Sequence, residues 1–250
     1  SRTANNAEGI YTWAEAWDLA AKFPTNCFTF KLNENITFNK YDQLSVVTKV
    51  NVTIDLAGYT WDSQGIQYLV NLTTGSTGSV LSVISSREGG KILAQAPIIV
   101  SSNHSSIITV NYGSEDAFPI EVKADGNSGY LVHAGGNFKR GSTLNLNITN
   151  GSYSVDAGFV FVRNAGAELS AANHYIINID NATVTTEGNL VVFNQEYKAS
   201  ASSIIAATNS VIKASGAAVS ALSSDLWYGG FEFTGTELDG IIFADKTANI

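Results

Sequence analysis

The sequence predicts an all-β fold, a parallel β-helix (solenoid) that an α-helix closes at its N-terminal end. The first supporting observation is an internal repeat between Leu146 and Leu222, in which Asn150, Asn181 and Asn209 recur at steps of 31 and 28 residues. The second is a glycine column that recurs nearly in phase with the asparagines, at Gly158, Gly188 and Gly216. Self-similarity at such a period is typical of repeat architectures.

The third observation is the pattern within each repeat, where short β-branched runs alternate apolar and polar residues, as in Ile177 and Ile179 against Asn178 and Asp180. About 30 residues holding only strands and turns leave no room for a helical crossover, so stacked strands are the simplest solution. Asparagine suits the turns, because stacked amides can hydrogen-bond along a ladder and asparagine tolerates the left-handed conformation. An immunoglobulin-like sandwich is the alternative fold, but it does not predict the two columns.

We expect one domain over residues 1–250, with β-helix rungs over 27–250 and a capping helix over 9–23. No Pro-rich or charged linker divides the chain. Thr12 and Glu15 have the spacing of a capping box at the start of the helix. Trp13 and Trp17 lie on its apolar face, which favours a plug over the open end of the coil, although a sugar-stacking platform is the alternative.

Further strands are expected from alternation between turn residues. They are Cys27–Leu32, Asn35–Phe38, Leu44–Val50, a strand and turn over 51–61, Val80–Ile84, Pro97–Val100, Ile107–Asn111, Pro119–Lys123, Phe231–Phe233 and Gly240–Ala244. No capping helix is predicted after the last strands, so we expect the final rung to leave an open edge.

The opening of the chain resembles that of a known class. The segments TWAEAWDLAAKF (12–23), FTFKLNENITF (28–38) and NVTIDLAGYTW (51–61) are similar to the helix, strand and strand-turn that begin right-handed parallel β-helix proteins of microbial surfaces, of the broad pectate-lyase-like class. The resemblance implies a right-handed coil, asparagine ladders and an extracellular location. Members of that class include polysaccharide lyases, glycoside hydrolases, adhesins and phage spikes, so the resemblance indicates architecture more than activity.

The charge and composition of the chain limit the classes of partner that it can bind. The formal net charge is −8 and only 14% of residues are charged, which disfavours nucleic acid and anionic membranes. No apolar run approaches the roughly 18 residues of a membrane span. Cys27 is the single cysteine, so the fold does not depend on an intrachain disulfide. The absence of methionine, even at position 1, indicates a processed or excised extracellular chain.

The chain carries seven Asn-x-Ser/Thr motifs, each a candidate attachment site for an N-linked glycan in an exported protein. They begin at Asn35, Asn51, Asn71, Asn103, Asn147, Asn150 and Asn181.

Residues that could support catalysis form no strong pattern. Asp156 and Glu187 are expected one rung apart, and they could pair with a base such as Lys139, Arg140 or Arg163 in a lyase-like site. Exposed turns and a solvated basic face explain these residues better than a catalytic site does. His104, His133 and His174 follow no metal-ligand spacing, so neither a metal nor a cofactor is predicted.

The sequence therefore predicts a non-enzymatic extracellular structural protein, a cell-surface or filament subunit that self-associates head to tail through its open edge. One alternative is a glycan-binding adhesin that stacks sugars on Trp61, Tyr130, Trp227 and Tyr228. Another is a polysaccharide lyase or glycoside hydrolase.

Overall fold

The computed structural model describes residues 11–37, 44–46, 49–63, 69–72, 78–100, 107–124, 129–134, 141–164, 173–195, 201–216, 219–221 and 227–240. These residues form a parallel β-solenoid with one short helix near the N-terminus, as the sequence predicts. The right-handed sense of the coil and the single-domain boundaries stay predictions.

The helix α1 spans Trp13–Lys22 and begins with the predicted capping box. The Thr12 hydroxyl accepts a hydrogen bond from the Glu15 backbone N–H over 3.3 Å, and the Glu15 carboxylate accepts one from the Thr12 N–H over 2.8 Å. Trp17 is buried with its ring centroid 5.6 Å from that of Phe30. Trp13 packs 4.9 Å from Trp61. The two tryptophans therefore plug the end of the core, as expected.

Two parallel sheets make the walls of the solenoid. Among the described residues the larger sheet has 14 strands. They are β1 (Cys27–Lys31), β2 (Ile36–Thr37), β4 (Asn51–Asp55), β5 (Thr60–Asp62), β7 (Val80–Ile84), β8 (Lys91–Ala94), β10 (Ile107–Tyr112), β11 (Ile120–Ala124), β13 (Thr143–Val155), β15 (Asn173–Thr186), β17 (Ala201–Thr208), β18 (Val211–Ala214), β20 (Trp227–Thr234) and β21 (Glu237–Asp239).

The smaller sheet stacks seven described strands in the same direction. They are β3 (Leu44–Val46), β6 (Val70–Leu72), β9 (Ile98–Val100), β12 (Tyr130–Ala134), β14 (Gly158–Asn164), β16 (Val191–Gln195) and β19 (Val219–Ala221).

The core consists of columns of apolar side chains that meet their counterparts in the next strand. One column follows the register through the larger sheet. It contains Phe28, Val52, Leu81, Val110, Leu146, Ile177, Ile205 and Phe231. All but Phe231, on the last described strand of the column, are buried. Fully burying one aliphatic side chain contributes roughly 1.5–3 kcal/mol, so the repeated column is a major source of stability.

Most predicted strands lie within two residues of the observed ones, and β7 has the predicted boundaries. The run expected over Leu44–Val50 is shorter, since β3 ends at Val46. The strand expected over Gly240–Ala244 lies outside the described residues apart from Gly240 itself. The helix predicted over 9–23 is too long, because the capping box at Thr12 starts α1 at Trp13 and the helix ends at Lys22; residues 9 and 10 lie outside the described part.

The glycine column is wrong by one residue at its first member. Val160 pairs with Val191, a step of 31, so Gly158 lies against Asn189 and not against Gly188. Gly188 instead lies over Ala157, while Gly216 does stack on Gly188. The physical reason is that this rung is one residue longer than the spacing of the glycines.

Candidate functional site

The central feature of the surface is a corner at which the larger sheet bends. Asn150, Asn181 and Asn209 occupy this corner with φ values of 50°, 48° and 47°. Their neighbours pair in register, Ile148 with Ile179 and Ile179 with Ala207, so the three asparagines occupy equivalent positions in successive rungs. Asparagine adopts this left-handed conformation more readily than most residues with a side chain, which explains its recurrence here.

The amide of Asn150 ties its corner to the preceding rung. Its Nδ2 donates to the carbonyl oxygens of Ser114 and Ala117, over 3.1 and 2.9 Å. Both amide hydrogens are therefore engaged by the loop that leads from β10 to β11. This asparagine stabilises a turn as well as adopting its backbone conformation.

A second polar ladder runs along the outer face of the larger sheet. Asn111 Nδ2 donates to Ser82 Oγ over 2.8 Å. Asn147 Nδ2 donates to Asn111 Oδ1 over 2.7 Å, and Asn178 Nδ2 donates to Asn147 Oδ1 over 2.8 Å. Sequence reasoning missed Asn111 and Asn178. The 31-residue step from Asn147 to Asn178 was the available signal, because it equals the step from Asn150 to Asn181.

Beside the corner column lies a groove of about 480 Å³. Its lining includes Asn150, Asn181 and Asn209, with Ser152 further along β13 and Thr183 further along β15. Lys91 and Glu121 add an ion pair between neighbouring strands, with Nζ 2.8 Å from Oε2 and both side chains about half exposed. Amides, hydroxyls and one compensated ion pair make this groove suited to a neutral, hydroxyl-rich ligand.

Asp55 is a buried carboxylate that holds an earlier corner. Its Oδ1 accepts backbone hydrogen bonds from Ala57 over 2.9 Å and from Ser86 over 2.8 Å, and Lys31 Nζ lies 3.7 Å from its Oδ2. Burial acts to raise the pKa of Asp55, but the hydrogen bonds from Ser86 and Ala57 and the charge of Lys31 outweigh it and hold the pKa below its ordinary value. The arrangement is that of a structural carboxylate.

The candidate catalytic acids occupy neighbouring rungs, as the sequence predicts. Asp156 and Glu187 directly follow the register pair of Val155 with Thr186, and Ser215 occupies the next position of that column. Of the candidate bases, Lys139 and Arg140 lie outside the described residues, and Arg163 is described by its backbone, which pairs with Asn194.

The histidines lie apart. His133 is on β12 and buried, His174 is exposed on β15, and His104 lies outside the described residues. Within the described ranges no three His, Cys, Asp or Glu side chains are grouped as metal ligands.

Of the four aromatic residues proposed for sugar stacking, the structure describes the side chains of Trp61 and Tyr130. Trp61 is fully buried against Trp13, so its assignment as an exposed aromatic is wrong. The reason is that Trp61 is the inward member of the alternation in β5. Tyr130 is partly buried on β12, and the side chains of Trp227 and Tyr228 on β20 lie outside the described part.

The seven glycan-attachment motifs differ in their surroundings. Asn35 and Asn181 are exposed; Asn51, Asn71, Asn147 and Asn150 are partly buried; Asn103 lies outside the described residues. Asn51 Nδ2 donates to Cys27 Sγ over 3.0 Å, and the amide nitrogens of Asn147 and Asn150 donate within the stack. Asn35 uses its Oδ1, which accepts from the Thr60 N–H over 2.9 Å.

Comparison with known proteins assigns no family. No family model matches the chain, and no significant match is found among curated proteins or solved structures. The resemblance to pectate-lyase-like proteins is therefore supported at the level of the parallel solenoid only. In the described part of the chain no helix is long and apolar enough to traverse a bilayer.

Proposed function

We propose that this chain is an extracellular structural protein, a cell-surface or filament subunit that associates head to tail through its last rung. The observation that carries the proposal is the pairing at the two ends of the larger sheet. Among the described strands, β20 pairs only with β17 and β21 only with β18, while at the other end β1 pairs only with β4. A strand with an unpaired edge is a template for a strand of another chain, and at the β1 end that pairing takes place beside α1, whose tryptophans plug the core.

The stack between those ends supports a mechanical role. Backbone ladders of parallel strands run the length of the described solenoid, and the Ser82–Asn111–Asn147–Asn178 ladder adds side-chain hydrogen bonds in the same direction. Bonds along the axis resist bending and extension of the rod. A head-to-tail contact that continues this axis does not close on itself and therefore generates a fibre.

The register specifies which residues would meet at such a junction. Thr29 on β1 and Glu232 on β20 are the first and last described members of one column, and both are exposed. If a neighbouring β1 continues the stack in register, its Thr29 lies opposite Glu232 and its Lys31 is a diagonal neighbour on the same face. A carboxylate near an ammonium group favours this orientation over a tail-to-tail contact, which would bring Glu232 towards Glu232.

A charge swap across the junction tests the proposal. Glu232→Lys places a cation beside Lys31 of the neighbour, and Thr29→Glu places a carboxylate opposite Glu232. Each single change should weaken association by about 1.4-fold to fivefold, from a cross-strand cost of roughly 0.2–1 kcal/mol. The double variant should recover association, because lysine then faces glutamate.

Sedimentation velocity over a concentration series, with electron microscopy, measures this association. Monomers at every concentration, or a double variant as weak as the singles, would contradict the proposal.

A second candidate function is carbohydrate binding, favoured by the corner groove with its amide and hydroxyl lining. The probe is a panel of neutral linear oligosaccharides titrated into unglycosylated protein by calorimetry. Binding that is lost in Lys91→Ala and in Ser152→Ala supports it, while no heat with any of them removes it.

A further inference from the structure

Two of the glycan-attachment motifs lie one above the other in the corner column. Asn150 begins the motif Asn-Gly-Ser and Asn181 the motif Asn-Ala-Thr, and the register places Ser152 directly against Thr183. The two asparagines share a left-handed backbone, with φ of 50° and 48°. Asn150 and Asn181 thus match in position, in backbone conformation and in carrying an attachment motif. They differ in the surroundings of their side chains.

Those surroundings are opposite in kind. Asn150 is partly buried, and its Nδ2 donates to both Ser114 O and Ala117 O. An N-linked glycan replaces one hydrogen on Nδ2, so a glycan on Asn150 removes one of these two bonds and must pass the loop that accepts them. Asn181 is exposed, as is Thr183 of its motif, and both line the open groove.

We propose that Asn181 is a glycan-attachment site of the folded protein and that Asn150, one rung below, is not. The glycan projects from the corner groove at Asn181, where the chain already exposes amides and hydroxyls to solvent. The inference rests on the proposed extracellular location, but it is independent of head-to-tail association.

Engagement of Nδ2 in a hydrogen bond of the stack also distinguishes the motif at Asn147. Asn147 Nδ2 donates to Asn111 within the amide ladder, so a glycan there replaces a hydrogen on the nitrogen that makes this bond. The proposal therefore predicts that the occupied motif of the corner column is the one whose amide is not engaged by the stack.

The test uses the full chain secreted from a eukaryotic host behind a signal peptide, so that export is imposed and only site choice is measured. Peptide mass spectrometry before and after enzymatic deglycosylation should show glycan at Asn181 and none at Asn150. Thr183→Val should abolish the glycan at Asn181, whereas Ser152→Ala should leave the glycosylation pattern unchanged.

A third variant tests whether the folded surroundings, rather than the serine in place of threonine, keep Asn150 unmodified. Ser152→Thr gives both asparagines the same hydroxyl residue. Folded secreted protein should still lack glycan at Asn150, and any fraction that carries it should melt at a lower temperature once isolated. An unmodified Asn181, or a glycan at Asn150 with an unchanged melting temperature, would overturn the proposal. Either result would leave head-to-tail association untouched, since that is measured on unglycosylated protein.

Discussion

Asn147 donates a hydrogen bond of 2.7 Å to the amide oxygen of Asn111, which precedes it by 36 residues and lies in the neighbouring strand. Asn178 then donates to Asn147 over 2.8 Å, so the Asn147 amide is both donor and acceptor. Such a chain of amides links three strands through side chains alone, in addition to the backbone ladder.

Removing the middle amide should therefore destabilise the stack. Asn147→Ala leaves Asn111 without a donor and Asn178 without an acceptor, and we expect a loss of about 1 to 2 kcal/mol in the free energy of unfolding. The matched control is Asn145→Ala on the same strand and face. Asn145 Nδ2 donates to Thr109 Oγ1 over a longer distance, 3.4 Å, so its loss should cost less. Urea denaturation of both variants measures the difference, and equal losses would contradict the ladder.

The left-handed corner should reverse the usual order of stability between alanine and glycine substitutions. At Asn181 the backbone is left-handed, so Asn181→Ala should cost about 1 kcal/mol more than Asn181→Gly. Three residues earlier, Asn178 lies in the extended strand β15, where glycine should be worse than alanine by about 0.5–1 kcal/mol. Four unfolding curves on unglycosylated protein give the comparison. The same preference at both positions would show that the corner does not require a left-handed residue.

Gly113 has a φ of +78° at the corner before the loop to β11, and a Cβ atom there would overlap the carbonyl oxygen of Thr149. Gly113→Ala should therefore prevent folding or lower stability by more than about 3 kcal/mol, since both strain and overlap oppose it. Gly230→Ala is the control, because a Cβ at that position meets nothing within 4 Å. Circular dichroism melts should show near-native behaviour for the control, and tolerance of alanine at Gly113 would contradict the described packing.

Asp55 should make stability depend on pH in a defined direction. Its folded pKa is lowered, so its contribution is fully present above the ordinary aspartate pKa near 4 and is lost as pH falls through the lower folded value. Urea midpoints of wild type and Asp55→Asn should differ at pH 7 and converge as the pH falls through the lowered folded pKa of Asp55. Asp18→Asn, at an exposed position of α1, removes a carboxylate away from that corner and is the control. Parallel curves for Asp55→Asn would show that the carboxylate does not stabilise the corner through its charge.

Much of this arrangement follows from the sequence because alternation fixes which side chains face inward. The boundaries of β7, for example, follow from Val80–Ile84 alone. The alternation of Asn51–Asp55, with Val52 and Ile54 inward, does not extend to Trp61, because the turn at Gly58 shifts the phase and Trp61 faces inward after it. The start of the amide ladder was hidden, since 36 residues separate Asn111 from Asn147 where the next step is 31. The loop after β10 supplies the extra residues, and a fixed period cannot reveal a column that such an insertion interrupts.

The groove could not be predicted for a different reason. Its lining comes from residues up to about 120 positions apart, such as Lys91 and Asn209, that share only polarity. A groove depends on the angle at which the sheet bends, and no single residue determines that angle. The residues that would meet at the proposed head-to-tail junction are also distant in sequence, and the register of the strands identifies them.

Cross-linking in register tests the stacking of rungs most directly. In a Cys27→Ser background, Ser152→Cys with Thr183→Cys places two exposed thiols on residues that pair across β13 and β15. Adjacent strands are about 4.8 Å apart, within the Cα range of a disulfide, whereas the diagonal partner Thr185 is about 7–8 Å away. Oxidation should give an intrachain disulfide with Thr183→Cys and little or none with Thr185→Cys. A disulfide formed equally in both pairs, or only in the diagonal one, would contradict the parallel stack.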